Sequence, residues 1–341
     1  MSDFLRGRAM RGVLAVLVLL ALLPLVMDPF RLNLSGKYLA FAFVAVGIVL
    51  MWGYGGVLSL GQGIFFGLGG YMMAMFLKLE ASAPDLPDFM SWSSVETLPL
   101  WWQPFHSLGW TLVLIALLPP LLAYLFSYAV FRKRVGGVYF AIVTLSLALT
   151  LTVLIVGQQG DTGGANGITD FRTILGRDIV GDSAKLVIYL AEAAVLGLTM
   201  ILCVGLLHSR FGKVLIAIRD REDRVRFSGY NTAHIKAFVF ALAALLSSVG
   251  GAFYALQVGM VSPNAVGVVA SIEMVIYAAV GGRLSVAGAV VGALLVGLLK
   301  SYLSEAFPEV WLYFLGSLFI GVVAFMPQGL AGFALRLGTG R

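Results

Sequence analysis

The feature that most constrains this chain is a succession of long apolar runs, recurring almost from one end to the other and divided by short polar breaks. A helix needs about 20 consecutive apolar residues to cross the hydrocarbon core of a bilayer. By that measure, ten spans fall at approximately 11–28, 38–54, 56–77, 108–131, 138–157, 186–207, 234–257, 268–281, 285–303 and 309–327. A soluble fold would have to hide this apolar surface in one core. With 60% hydrophobic and only 12% charged residues among 341, there is too little polar surface to cover it. The sequence therefore predicts an all-α, polytopic integral membrane protein with a single transmembrane domain over 1–341. Glycine pairs beside the second, third, eighth and ninth spans (Gly55 and Gly56, Gly281 and Gly282) leave those spans readable either as clean crossings or as broken helices.

The charge distribution supports an orientation. With the amino terminus inside, sixteen of the 23 basic residues lie on the cytoplasmic side: Arg6, Arg8, Arg11, Arg132, Lys133, Arg134, Arg210, Lys213, Arg219, Arg221, Arg224, Arg226, Lys236, Arg283, Arg336 and Arg341. The remainder are Arg31, Lys37, Lys78, Arg172, Arg177, Lys185 and Lys300. That asymmetry implies two cytoplasmic termini and an even number of spans. The same short basic clusters argue against nucleic acid as the partner of a +6 net charge. The run from Val13 to Met27 is followed by Asp28, Pro29 and Phe30 instead of a small-x-small cleavage site, so it is expected to be a retained first span. One cysteine, Cys203, excludes an internal disulfide framework, and His106, His208 and His234 show no metal-ligand spacing.

Two segments expected outside, 79–107 and 158–185, exceed simple turns. The first carries Pro84, Pro87, Pro99 and Pro104 with Trp92, Trp101 and Trp102, a composition that suits an interfacial aromatic belt better than a binding box. The second holds a glycine-rich stretch, Gly160 to Gly167, that either turns tightly or presents backbone groups to a polar solute. An internal echo links Gly55-Gly56-Val57-Leu58-Ser59 with Gly281-Gly282-Arg283-Leu284-Ser285. Duplication and chance are both open explanations in so glycine-rich a chain.

The longest inner loop, 208–233, carries the most information. Val214, Leu215, Ala217, Ile218 and Val225 recur near one side at helical spacing, and Asp220–Arg224 and Glu222–Arg226 are acid-then-base pairs four apart. Gly212 precedes this helix, and Gly229 is positioned to stop it. A charged amphipathic helix between two spans either seats in a groove of a soluble partner or rests on anionic lipid. Asp220, Glu222 and Asp223 favour a protein partner. There is no phosphate-binding loop of the G-x-x-x-x-G-K-[ST] type, so any ATP-driven work requires another chain.

Ionisable groups inside a membrane are costly, which makes Glu273 a candidate to line or gate a solute path, or else to pair structurally. Glu192 sits near the outer end of its span and is expected to reach water. Ser59 and Gln62 bring neutral hydrogen-bonding groups to the start of a glycine-lined helix, where Gly63 and Gly67 mark a close-packing face. No catalytic constellation is present, so no catalytic residue and no resident cofactor or metal is assigned.

These segments together resemble the LivM-type permeases of branched-chain amino acid and urea ABC importers, across roughly Leu39 to Leu330. The resemblance is carried by Gly53 to Gly63, by Gly212 to Gly229, and by Ser271-Ile272-Glu273 through Gly281-Gly282. The outer stretches Phe89 to Phe105 and Thr162 to Phe171 look like those of the urea branch, which points to urea ahead of branched-chain amino acids. Ala265 to Val269 is more apolar than that branch leads one to expect. The resemblance implies an ABC importer permease fold in a bacterial inner membrane, working with a second related permease, two ATPase subunits that bind the ATP, and a periplasmic solute-binding protein. Gly212, Ala217, Arg219, Asp220 and Gly229 would then belong to the loop that docks on an ATPase, and Ser59, Gln62 and Glu273 to the path. The rivals are an ion-coupled secondary transporter, which calls for more intramembrane carboxylates, and a membrane enzyme or scaffold, which calls for a convergent catalytic set.

Overall fold

A computed structural model describes residues 2–326 and 328–332. Thirteen helices follow in order: α1 (Ser2–Val26), α2 (Pro29–Ile48, continued by a π-helical turn, Val49–Tyr54), α3 (Gln62–Ser82), α4 (Asp88–Trp92), α5 (Leu108–Arg132), α6 (Val138–Gly157), α7 (Gln159–Thr162), α8 (Asp182–His208), α9 (Arg210–Phe227), α10 (Thr232–Val258), α11 (Val268–Gly281), α12 (Val286–Ala306) and α13 (Trp311–Phe325). Among the described residues, eight are long and apolar enough to cross a membrane: α1, α2 with its π-turn, α3, α5, α6, α8, α10 and α12. The 14 residues of α11 reach about 21 Å at 1.5 Å per residue, short of a bilayer core about 30 Å thick. A single 3-10 turn, Pro263–Ala265, precedes it. The near-complete helicity agrees with the all-α expectation; the exception is a two-residue hairpin, β1 (Thr173–Ile174) against β2 (Arg177–Asp178).

Several boundaries differ from the sequence expectation. The second span begins at Pro29 instead of residue 38, because hydropathy discounts the turn containing Arg31 and Lys37 while the helix simply continues through it. The third begins at Gln62 instead of residue 56, because the chain from Gly55 to Gly61 is not helical. Lys78, just past the expected end of the third span, lies inside α3, and Lys300 lies inside α12, as the expected span 285–303 has it. Arg336 and Arg341, part of the argument for a cytoplasmic carboxy terminus, lie outside the described residues.

The centre of the bundle is α2, α3 and α10. From Tyr38 to Met51 every residue of α2 is buried, as are nearly all of α3 from Gln62 to Leu79. Close approach makes this possible. A Cβ at Gly69 of α3 would strike the Ser248 backbone of α10, and one at Gly251 of α10 would strike the Phe66 carbonyl of α3. By contrast α5 and α6 leave most of their leucine and valine side chains exposed, as helices facing lipid do.

At the end opposite α9, the two long connections fold into one cap. Glu80 of α3 accepts the N–H groups of Leu175 and Gly176 at 2.9 and 2.8 Å, which ties the hairpin down. Trp102 donates its indole N–H to the Asp161 carbonyl at 2.9 Å, and Lys78 pairs with Asp88 at 2.9 Å. The glycine-rich stretch turns tightly, with positive φ at Gly163, Gly164 and Gly167, and Ile168 then bridges to Val261.

Candidate functional site

The polar residues that the sequence singles out gather where α2 breaks. The backbone first widens to a π-turn, in which Gly55 N–H reaches the Leu50 carbonyl at 3.1 Å and Val57 N–H the Met51 carbonyl at 3.0 Å. Gly56 then enters the left-handed region at φ +69°, where a side chain is strained and a Cβ would lie 2.8 Å from Arg219 Cγ. The following residues run unwound into α3. Irregular backbone at membrane depth needs internal partners, and neighbouring helices supply them. Leu60 N–H donates to Thr144 Oγ1 of α6 at 3.1 Å, and Gly63 N–H donates to Ser271 Oγ of α11 at 3.1 Å. Gly61 N–H donates to Ser59 Oγ at 3.2 Å, and Ser247 of α10 donates to Gln62 Oε1 at 2.9 Å. Ser59 and Gln62 are both fully buried. They form one polar knot that joins α3, α6, α10 and α11.

Glu273 is not part of that knot. It is 6% exposed and receives Lys300 Nζ of α12 at 2.8 and 2.7 Å, with the Tyr277 hydroxyl at 3.5 Å. Lys300 Nζ also lies 4.8 Å from the Trp311 ring centroid. The structural pairing left open by the sequence is therefore formed. Glu192 departs from expectation: it is wholly buried in α8, and neither carboxyl oxygen has a partner among the described residues. Its distance from the helix end suggested water, but packing of α1 and α2 across α8 closes it off.

The helix expected in the 208–233 loop is α9. Leu215 and Ile218 face inward, Ala217 and Asp220 outward, and Gly212 packs against the Leu207 backbone. Gly229 ends the helix with φ +88°, its N–H on the Arg226 carbonyl. The Glu222–Arg226 pair forms at 3.1 Å. Asp220 instead pairs with Arg219 at 2.9 Å, because non-helical angles at Arg221 (φ −152°, ψ 74°) break the register that would bring Arg224 beneath it. Glu222 also binds Lys236 and Thr232 at the start of α10. Burial pushes the Glu222 carboxyl up, but the Lys236 ammonium, Thr232 and Arg226 outweigh it, and the group ends below its ordinary range.

The link between α9 and the break in α2 is Arg219. Its Nη1 donates to the Gly53 carbonyl at 2.8 Å, a group displaced from ordinary helical pairing by the π-turn. Gly53 in turn lies against the Arg283 carbonyl, and the Tyr54 hydroxyl donates to the Leu284 carbonyl at 2.9 Å. The two copies of the glycine echo thus meet at the α9 end, each with positive φ at its second glycine. Sequence reasoning missed Thr144, Ser247 and Lys300. Each bonds across at least 27 residues of chain, and no local pattern marks it.

Residues 30–323 match the family model described as "Branched-chain amino acid transport system / permease component". The chain is 23% identical to the high-affinity branched-chain amino acid transport system permease protein LivM of Escherichia coli K12, over 93% of this chain and 74% of that one. It is 21% identical to permease protein LivH of the same organism, over 86% and 91%. A shorter match, 28% identical over 28% of this chain and 32% of the relative, is to the ribose import permease protein RbsC of that organism. No solved structure matches.

Proposed function

Because the chain belongs to the family of permease components of branched-chain amino acid transport systems, we propose that it forms, with a second related permease, the membrane path of an ATP-driven importer for aliphatic amino acids. Two relatives in one organism, LivM and LivH, are named as permease proteins of a high-affinity branched-chain amino acid transport system, and both resemble this chain along most of its length. That supports a paired permease. ATP hydrolysis falls to two separate subunits and solute delivery to a periplasmic binding protein. The basic α9 end faces the bacterial cytoplasm, with both termini on that side.

The observation that carries the mechanism is the bond from Arg219 to the Gly53 carbonyl. An ATPase that grips the outward side of α9, around Ala217 and Asp220, pulls through this bond on the unwound backbone that bears Ser59 and Gln62. The polar knot then rearranges and opens the path toward one side or the other. Glu273 acts as a brace for this movement through Lys300. Val269 and Ile272, three apart at the start of α11, are both exposed and present an aliphatic surface beside Ser271. That surface, with the named relatives, favours branched-chain amino acids over urea.

Uptake of labelled leucine and labelled urea, with and without this chain in an otherwise complete system, tests the proposal. Leucine uptake that needs both the chain and ATP, and that valine but not urea suppresses, is expected. Chain-dependent urea uptake instead would overturn the solute. Solute transport by the purified chain alone, driven by an ion gradient, would overturn the class. Bulky replacements at Ala217 and Gly229 are expected to abolish co-purification of the ATPase, and unaffected co-purification would remove the docking role of α9.

A further inference from the structure

At the α9 end, a groove of about 550 Å³ opens between the end of α5, the end of α9 and the start of α10. Arg132, Arg134 and Arg226 line it, and no carboxylate does. Arg226 is engaged by Glu222 at 3.1 Å and Asp223 at 3.8 Å. The guanidinium groups of Arg132 and Arg134 have no hydrogen-bonding or ion-pair partner among the described residues. The floor adds to the positive field. It is the amino terminus of the 27-residue α10, whose first-turn residues Thr232 and Ala233 line the groove, with Asn231 capping the His234 N–H at 3.3 Å; backbone N–H groups of a first turn have no partner within their helix. Guanidinium groups beside free helix-terminal N–H groups make a site for a phosphate.

A second, independent pattern says what carries that phosphate. On α5, Leu121, Leu125, Tyr128 and Arg132 fall at intervals of four, three and four, one stripe of the helix. Leu121 and Leu125 are 54% and 56% exposed, and Leu118, on the same side, is exposed as well. The stripe is apolar along its length, aromatic near its end and cationic at its tip. That is the profile of an acyl chain, a glycerol region and a headgroup phosphate at a membrane interface. A free phosphate would have no use for the leucine track.

We propose that this groove binds the phosphate of an anionic glycerophospholipid from the leaflet on the α9 side. The bound headgroup would bridge α5 to the junction of α9 and α10, so that the lipid helps hold the helix proposed to receive the ATPase. The site rests on the chain's being embedded in a membrane and not on the identity of its solute. Failure of leucine uptake therefore leaves it standing, and its own failure leaves the transport class standing.

The test is lipid retention by the purified full-length chain, measured by native mass spectrometry after incubation with phosphatidylglycerol or phosphatidylcholine. Retention of phosphatidylglycerol over phosphatidylcholine is expected, with Arg132→Gln plus Arg134→Gln lowering that preference by about thirtyfold. Arg132→Lys plus Arg134→Lys is expected to keep most of it, which separates a charge effect from misfolding. Equal retention of the two lipids, or an unchanged preference in the glutamine variant, would overturn the site. Displacement of the lipid by millimolar inorganic phosphate would show a free-anion site and overturn the lipid assignment.

Discussion

Replacing Lys300 by Met separates the two roles open to Glu273. The substitution leaves a carboxylate that is 6% exposed, with the Tyr277 hydroxyl at 3.5 Å and with Lys37 as a cation still within electrostatic reach. Removing one member of a buried ion pair costs about 3–5 kcal/mol, because the remaining charge stays desolvated. The lower end applies, since the Lys300 side chain is 27% exposed and Lys37 stays within electrostatic reach of the carboxylate. A loss of about 3 kcal/mol should lower the thermal midpoint of the purified protein by on the order of 5–10 °C. Adding Glu273→Gln removes the stranded charge, and the double variant should regain most of the loss, with a coupling of about 1.5–3 kcal/mol between the positions. Uptake then decides the role. If Glu273 only braces α11 against α12, the double variant recovers transport together with stability. A double variant as stable as the parent that transports nothing would refute the bracing argument and put the carboxylate in the path.

Three further outcomes follow from the α9 end. Arg219→Ala removes a charge-assisted hydrogen bond, 31% exposed on its donor side; uptake per ATP hydrolysed should fall roughly fivefold to tenfold while ATP hydrolysis persists, and unchanged coupling would remove Arg219 from the linkage. Gly56→Ala forces a Cβ into a backbone at φ +69° and to within 2.8 Å of Arg219 Cγ; a loss of about 1–3 kcal/mol is expected from thermal denaturation, against no loss if the turn relaxes freely. The Glu222 carboxyl lies below its ordinary value of 4.5, so the stability it confers is fully present above that pH and is lost as pH falls through the lower folded value. The protection factors of α9 amides, corrected for the intrinsic exchange rate at each pH, should therefore fall on acidification below about pH 4.5 in the parent and show no such step in Glu222→Gln; identical profiles would remove Glu222 from the contacts that hold α9 to α10.

The spans were legible because lipid imposes a length and an apolar composition that few other environments require. Their ends were less so. Between Val49 and Gly61 the sequence stays apolar while the backbone passes from α-helix to π-turn to unwound chain, and hydropathy does not register a change in winding. The glycines at 53, 55 and 56 did mark the place, although not which side of it the next helix begins. Amphipathic spacing and opposed charges made α9 visible, whereas the kink at Arg221 left no trace in composition. Lys300 fell within an expected span, 285–303, but nothing local signalled that Glu273, 27 positions earlier, would receive it. Ser59 and Gln62 were recognisable as unusual, but their partners on α6 and α10 came from packing alone.

The same physics explains why the break in α2 sits where it does. An unwound segment at membrane depth exposes backbone groups that hydrocarbon cannot satisfy, so it survives only where neighbouring helices donate or accept in their place. Hydroxyls from Thr144 and Ser271 take two of its N–H groups, and Arg219 supplies the donor for the Gly53 carbonyl. Those partners belong to three different helices, α6, α11 and α9, so the break cannot shift without moving at least one of them. Conversely, a displacement of α9 alone must either break the Arg219 bond or carry Gly53 along. With Leu215 also seated near Gly55, carrying the segment along preserves more contacts than detaching from it. Under the docking proposed above, a pull on the part of α9 before its kink would reach, through Arg219, the non-helical backbone between Gly55 and Gly61.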